Sequence, residues 1–591
     1  MSEFELVEVA SIEDTKALMN VVLGREKADL AVINARLMNV YTGEILDHFS
    51  VCSLGRRIAY VGNKPKEVIG EKTTVIDAAG QTLIPGLIDG HAHLGWLFNA
   101  CEFLNHAMAG GTTTIITESM EPFAAGGRDA VLDFLASLKD QPIKIFATVS
   151  PNVSISRKSR GISIGNLEEL LGRSDILGLG ETYWQAVLQE PDLMLPFFYE
   201  TLKKGKKLEG HSAGAAKNKL MAYVAAGISS CHEPINMKEV LERLRLGLYV
   251  MIREGSVRRD LEAISEIRNH GLNLRRLVLV SDGISPKDIL EKGYMEFIVQ
   301  KAIDCGFDPI TAIQMATLNV AEHFSLDHVI GGIAPGRDAD WLVIPDERTI
   351  APRYVISKGR IIARDGKLLV PARKHNFSET SLRSVRLPEK LKASHFIIHT
   401  QDHDCQAEVR IIDLVTDLVT RESRLTLPVV TGEIRADVDR NVLKVAAIDR
   451  THIPGKMFVG LVRGFCLRSG AVAATSAWDS SDIVVVGATD ADMATAVNRV
   501  RDLDGGIVAC RDGKILTEVP LPIFGLLSEK PMETLAREMD GLKKVLSDLG
   551  APFPDPFLTL GTLTCAAIPY FRICEEGYVD FKSGQSLGVL V

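Results

Sequence analysis

The chemistry most plainly written in this sequence is metal ligation. Asp89-Gly90-His91-Ala92-His93 ends an apolar, strand-like run. Residues two apart on a strand point to the same face, so His91 and His93 can both reach one cation. Neutral imidazole is a common metal ligand, although a lone His-x-His pair also arises by chance. Four further residues change the odds. Glu181 closes ILGLGE, His211 follows KKLEG, His232 follows GISSC and Asp282 ends LVLVSD. Each stands at the C-terminal end of an apolar run. Taken singly, Glu181 reads equally as a rim carboxylate and His232 as a satisfied core histidine. Taken together, four imidazoles and two carboxylates make a mixed N/O set that suits two divalent cations. A single cation is the narrower alternative.

Such a set works only if the runs that carry it converge. GLIDGHAH, TTTIITE, IKIFATV, ILGLGE, KKLEGHS, ISSCHE, LYVMIREGS and LRRLVLVSD are eight strand candidates with amphipathic segments such as AVLDFLASL and MKEVLERLRLG between them. Eight strands alternating with helices predict a (β/α)8 barrel, whose C-terminal strand ends collect catalytic groups at one mouth. The fold class expected is therefore α/β. A TIM-type barrel spans residues 84–330. A small β-sandwich domain flanks it, begun by a helix and strands in residues 1–83 and completed by return strands in 331–370. After a linker at 371–390, residues 391–591 form an additional α/β C-terminal domain.

Composition agrees with several folded domains, since one core stops growing near ~250–300 residues and this chain has 591, with 46% hydrophobic and 24% charged residues. The net charge of −9 argues against a nucleic-acid surface, which needs clustered Lys and Arg. Nine cysteines are scattered without a CxxC pair, so neither a thiolate zinc site nor a disulfide framework is signalled. The acidic start MSEFELVEVASIED has no apolar h-region, and no apolar run nears the ~18 residues of a membrane span. A cytoplasmic protein with no membrane partner is expected.

IPGLIDGHAH, with single His positions downstream and an Asp after the last strand, resembles the amidohydrolase superfamily. GHSAG, AYVAAGISSCHEP, VMIREGS and FIVQKAIDCGFDPITAIQMATLNVAEHF narrow the resemblance to the adenine deaminase family. VGLVRGFCLRSGAVAATSAWDSSDIVVVGATDADMATAVNRV and PDPFLTLGTLTCAAIP are similar to that family's extra domain, so the resemblance covers nearly the whole chain. It implies that His91, His93 and Asp282 bind one metal, that His211 and His232 bind a second, and that Glu181 bridges them. It also implies manganese or iron rather than zinc, a small-molecule substrate and a homo-oligomer, dimer or higher.

The implied reaction is adenine plus water to hypoxanthine plus ammonia. Two metals sharing a water would supply a hydroxide nucleophile near neutral pH. Asp282 would move its proton to the leaving nitrogen, and Glu121 is the candidate acid for a ring nitrogen. Glu121 reads equally as a solvated loop carboxylate beside Pro122. Arg253, Glu254 and Ser256 end the seventh strand, where they could contact a heterocycle, or form an ion pair and cap the next helix. Asp479 and Ser480 would contact substrate if the C-terminal domain folds over the mouth.

The chain departs from the family pattern at defined places. An expected Asp-Pro-His-Glu run is Glu118-Ser119-Met120-Glu121 here. An expected His-Asp-Ser-His-Asn run is Trp478-Asp479-Ser480-Ser481-Asp482, and two aspartates followed by Arg become Ser281-Asp282-Gly283-Ile284. All six metal ligands survive while imidazoles give way to Met120, Trp478 and Ser481. A pocket with fewer hydrogen-bond partners reads polar purine edges less well. The alternative is a divergent binuclear amidohydrolase cutting another amidine, a cyclic amide or an N-acyl amide.

Overall fold

The computed structural model describes residues 11–151, 155–156, 161–400, 405–568, 570–581 and 584–591. Most of the acidic N-terminal stretch considered above lies outside them.

Eight parallel strands form the barrel, here β1 (Leu87–Ala92), β2 (Thr112–Thr117), β3 (Lys144–Val149), β4 (Ile176–Tyr183), β5 (Lys207–His211), β6 (Ser230–Cys231), β7 (Tyr249–Arg253) and β8 (Leu277–Val280). The first five pair in order, as do the last three. The ring closes between β8 and β1, where Asp282 N donates to His91 O at 3.0 Å and His93 N donates to Asp282 O at 3.3 Å. Ile88, Ile116, Phe146, Met251, Val278 and Val280 fill the barrel interior. The opposite faces of the same strands, Ile115, Ile145, Val250, Ile252 and Leu279 among them, pack outward against the helices. This period-2 alternation is why β-branched runs, buried on both faces, read as strands.

The strands before and after the barrel belong to one sheet of nine. Thr82–Pro85 runs antiparallel to Trp341–Ile344, so the two ends of the barrel segment are zipped together. Along Leu30–Asn39 the alternation separates two cores. Leu30 and Val32 face the interior that contains Trp341, while Ala31 and Ile33 face Val21 of the helix Ile12–Val22.

A buried ion pair fastens this sheet to the barrel floor. Lys144, at the start of β3, has no exposed side-chain surface and places Nζ 2.5 Å from Asp340 and 3.6 Å from Asp338. Breaking a buried pair leaves an uncompensated charge and costs about 3–5 kcal/mol. Lys144→Met is therefore expected to lower the thermal midpoint sharply, read by calorimetry against the parent protein. An unchanged midpoint would show that the remaining partners, Arg56 on Asp338 and Lys358 N on Asp340, suffice without Lys144.

The C-terminal domain is built on a ten-stranded, mainly antiparallel sheet. Ala446, Ile448, Val485 and Val508 face the helix Asp490–Asp502. Val445, Ala447, Val484 and Val486 face the other way, into a core shared with the barrel and with the helix Met532–Leu549. A short parallel pairing of Leu97–Phe98 with Leu527–Ser528 joins the domains just beyond β1. No helix among the described residues is long and apolar enough to cross a membrane.

Candidate active site

His91, His93, Glu181, His211, His232 and Asp282 meet at the C-terminal mouth of the barrel, all of them buried. Glu181 lies at the centre. Its Oε1 is 3.2 Å from His91 Nε2, 3.2 Å from His93 Nε2 and 3.4 Å from His232 Nε2, and its Oε2 is 3.2 Å from His211 Nδ1. Asp282 Oδ1 is 3.2 Å from His93 Nε2 and 3.8 Å from His91 Nε2. The donor atoms fall into two sets that share one residue. His91, His93, Glu181 and Asp282 form one, and Glu181, His211 and His232 form the other.

The local backbone explains the convergence. The β1–β2 register shifts between Asp89 and Ala92, and such irregularities re-aim side chains beside active sites. Asp89 holds the turn from beneath, accepting from His91 N at 3.0 Å, Ser281 N at 3.2 Å and Tyr294 Oη at 2.5 Å. Asp282 takes a left-handed backbone with φ 58°, a conformation Asp tolerates better than most residues. At Gly255 a Cβ would lie 2.0 Å from Ser281 O, so only glycine lets the β7 loop approach the end of β8.

The donor set fits divalent cations. His93 Nδ1 is 2.5 Å from Glu121 Oε1, which leaves Nε2 for a metal. A carboxylate behind a histidine is the usual way a ligand imidazole is oriented. His91 Nε2 and both ring nitrogens of His211 are buried without a hydrogen bond, a costly state unless something else coordinates them. Burial opposes ionisation of Glu181, yet the surrounding imidazoles of His232, His211, His91 and His93 hold it well below the usual carboxylate range. Asp282 is likewise depressed against its burial, by His93 and by the charge of Arg253. Burial and the neighbouring His91 press His232 down to about 3, so its imidazole is neutral, as a ligand must be.

Three nearby groups belong to the site although the sequence signals them only weakly. Glu233, next to His232, points Oε1 to 3.3 Å from His232 Nε2 and pairs with Arg253. Glu118 accepts from Glu181 N at 3.2 Å, and burial pushes its carboxyl up to about 7. Tyr183, two residues past Glu181 on β4, stands edge-on to His211. The only signal each gave was adjacency to a ligand or a strand end.

The remaining candidates divide by where their side chains point. Arg253 lines a cavity of about 230 Å³ beside the ligands and sets Nη1 3.5 Å from Asp282 Oδ2. Glu254 turns away from that cavity to Lys301, 2.5 Å distant. Ser256 Oγ donates to Asp288 and accepts from Ser285 N, a turn brace rather than a cavity wall. Glu121 sits in the first turn of the helix Met120–Leu138; its Oε1 engages His93, its Oε2 is buried without a hydrogen bond, and it is not part of the cavity wall. Asp479 lines the cavity, whereas Ser480 Oγ accepts from Asp482 N within its own loop. The C-terminal domain does cover the mouth. Trp478, Asp479, Leu558 and Ile568 form one wall, facing Met120 and Val257 of the barrel.

Comparison with known proteins bears on the whole chain. The amidohydrolase family model matches residues 82–362, and the adenine deaminase C-terminal domain model matches residues 417–585. An adenine deaminase of Clostridium botulinum is 34% identical over 588 residues, covering 98% of both chains. One of Moorella thermoacetica is 37% identical over 577 residues, covering 96% of both. An archaeal one, of Cenarchaeum symbiosum, is 34% identical and covers 97% of this chain and 94% of its own. Barrel, mouth and covering domain thus have counterparts in single full-length relatives, and the chain belongs to the adenine deaminase family.

Proposed function

We propose that the protein is a hydrolytic deaminase that takes adenine and water to hypoxanthine and ammonia. The observation that carries this is the pair of candidate ligand sets joined through Glu181 beside a cavity lined by both the barrel and the C-terminal domain. His91, His93 and Asp282 would hold one divalent cation and His211 and His232 the other, with Glu181 common to both. The set contains no thiolate, and manganese or iron is the proposed pair. Bound there, the cations would supply a water acidic enough to attack at neutral pH.

The chain's own residues do the rest. Asp282 stands where it can take a proton from the attacking water and return it to the leaving amine. Water adds to the amidine carbon, one of its protons passes to the exocyclic amine and the other to the ring nitrogen, the exocyclic carbon–nitrogen bond breaks, ammonia leaves, and the intact ring remains as the lactam. Arg253, paired to Glu233 and close to Asp282 Oδ2, fixes the direction of that carboxylate. Trp478, Met120 and Val257 exclude bulk water and hold a flat ring by apolar contact.

Met120 and Trp478 favour a second reading, in which the cavity takes another amidine or amide whose far edge is less polar. A substrate panel separates the two. Manganese- and iron-loaded protein is expected to release ammonia from adenine, and to stop on chelation and resume on metal return. Turnover of a cyclic amide or N-acyl amide with none of adenine would transfer the assignment. A cytoplasmic homo-oligomer belongs to the same proposal, with light scattering of purified protein as its check.

A further inference from the structure

The loop joining strands Ala471–Ala474 and Asp482–Gly487 of the C-terminal domain brings Trp478 and Asp479 over the barrel mouth, and the two side chains diverge there. The Trp478 indole meets His93 edge-on, with ring centroids 5.3 Å apart. Asp479 turns to the other ligand set. Its Oδ1 accepts from Tyr183 Oη at 2.8 Å, and the Tyr183 ring stands at 90° to His211 with centroids 5.1 Å apart.

Both carboxylate oxygens of Asp479 are held within the protein. Its Oδ2 accepts from Ala566 N at 2.9 Å, from Ala567 N at 3.3 Å and from the Cys565 thiol at 3.2 Å. Three donors crowd Oδ2 and Tyr183 takes Oδ1, so both oxygens are already engaged inside the protein. The residue is buried and held at φ 55°, an uncommon backbone for a residue other than glycine and one that clusters at functional sites.

The two ligand sets are supported unequally. His93 is oriented by a carboxylate on its Nδ1. His211 has no well-aligned hydrogen bond on either ring nitrogen; Glu181 and Glu233 carboxylates lie 3.2 Å from Nδ1 and 3.7 Å from Nε2, and the ring packs edge-on against Tyr183 and against His232, 5.0 Å away. Fixing Tyr183 thus fixes one face of the His211 ring.

We propose, on the dinuclear reading above, that Asp479 is a positioning residue that acts through Tyr183 to orient His211 as a ligand of the second metal. The C-terminal domain is then a working part of the metal centre as well as its cover. Partners behind a metal ligand typically change metal affinity or activity 10–100-fold.

The test uses full-length protein carrying Tyr183→Phe, Asp479→Asn or both, loaded with manganese. Metal affinity is read by competition with a chelating dye, beside kcat and KM for adenine and the thermal midpoint. Each single variant is expected to bind one of its two manganese ions roughly tenfold more weakly, with kcat lowered and KM within twofold. The double variant should be no worse than Asp479→Asn alone, because both changes break one linkage. Unchanged affinity for both ions in Tyr183→Phe overturns the proposal, and so does a change confined to KM, which would place Asp479 on the substrate. Tyr183→Phe removes a single hydroxyl and decides the matter if Asp479→Asn does not fold. Manganese affinity is read without substrate, so a parent protein inactive on adenine would defeat the substrate assignment while leaving this linkage under test.

Discussion

Asp282→Asn is expected to abolish useful turnover in a protein that still folds. The backbone at this position is the reason folding survives. Asp282 holds φ 58°, and Asn enters the left-handed region as readily as Asp does. The main-chain links to His91 O and from His93 N that close the barrel do not involve the side chain. The carboxylate is what disappears. The amide cannot take a proton from water and pass it to a leaving amine, a role generally worth 10²–10⁴-fold. It also presents a neutral oxygen where Arg253 and His93 now meet a charge. Ammonia release should therefore fall by about a hundredfold or more, with a thermal midpoint close to the parent's. A variant that keeps more than a tenth of the activity with its metals in place would remove Asp282 from proton transfer.

The six candidate ligands are legible in the sequence because each ends an apolar run, and a barrel brings such ends together whatever their separation along the chain. Local periodicity carries further information. Arg253 points inward, so its neighbour Glu254 must point outward on a strand of period two, and it does, to Lys301. Ser256 lies three residues beyond the strand, where chain direction is set by a turn with Asp288 and Ser285 rather than by strand geometry. Glu121 was legible as a carboxylate near the second strand end. Its engagement with His93 depends on the helix that begins at Met120 and on a contact across 28 positions. The position of Asp479 is illegible from any local pattern, since it requires docking of a whole domain, with 296 positions separating it from Tyr183. Long-range placement was readable only where a symmetric architecture imposed it.

Glu181→Gln is expected to have the broadest effect, because Glu181 alone belongs to both ligand sets. The exchange is nearly isosteric, and the backbone has its own anchors. Glu181 N donates to Glu118, and Ser150 Oγ donates to Glu181 O at 2.9 Å. What changes is the head group. Four imidazole nitrogens now lie within 3.4 Å of a carboxylate that is ionised against its burial. Glutamine supplies one neutral oxygen and an amide that can only donate, so half of the bridge becomes repulsive to a cation. Asp282 is then the sole anionic ligand for two dications, and burying charge without compensation is strongly disfavoured. Metal content measured after gel filtration should drop from two ions per chain to one or fewer. Ammonia release should fall by about a thousandfold, equivalent to ~4 kcal/mol of lost transition-state stabilisation. The two readouts together discriminate between one working metal and two. A variant with a single ion and near-normal turnover would show that the His91, His93 and Asp282 set suffices alone, whereas parallel loss of the second ion and of activity is the signature of a pair that works as a unit.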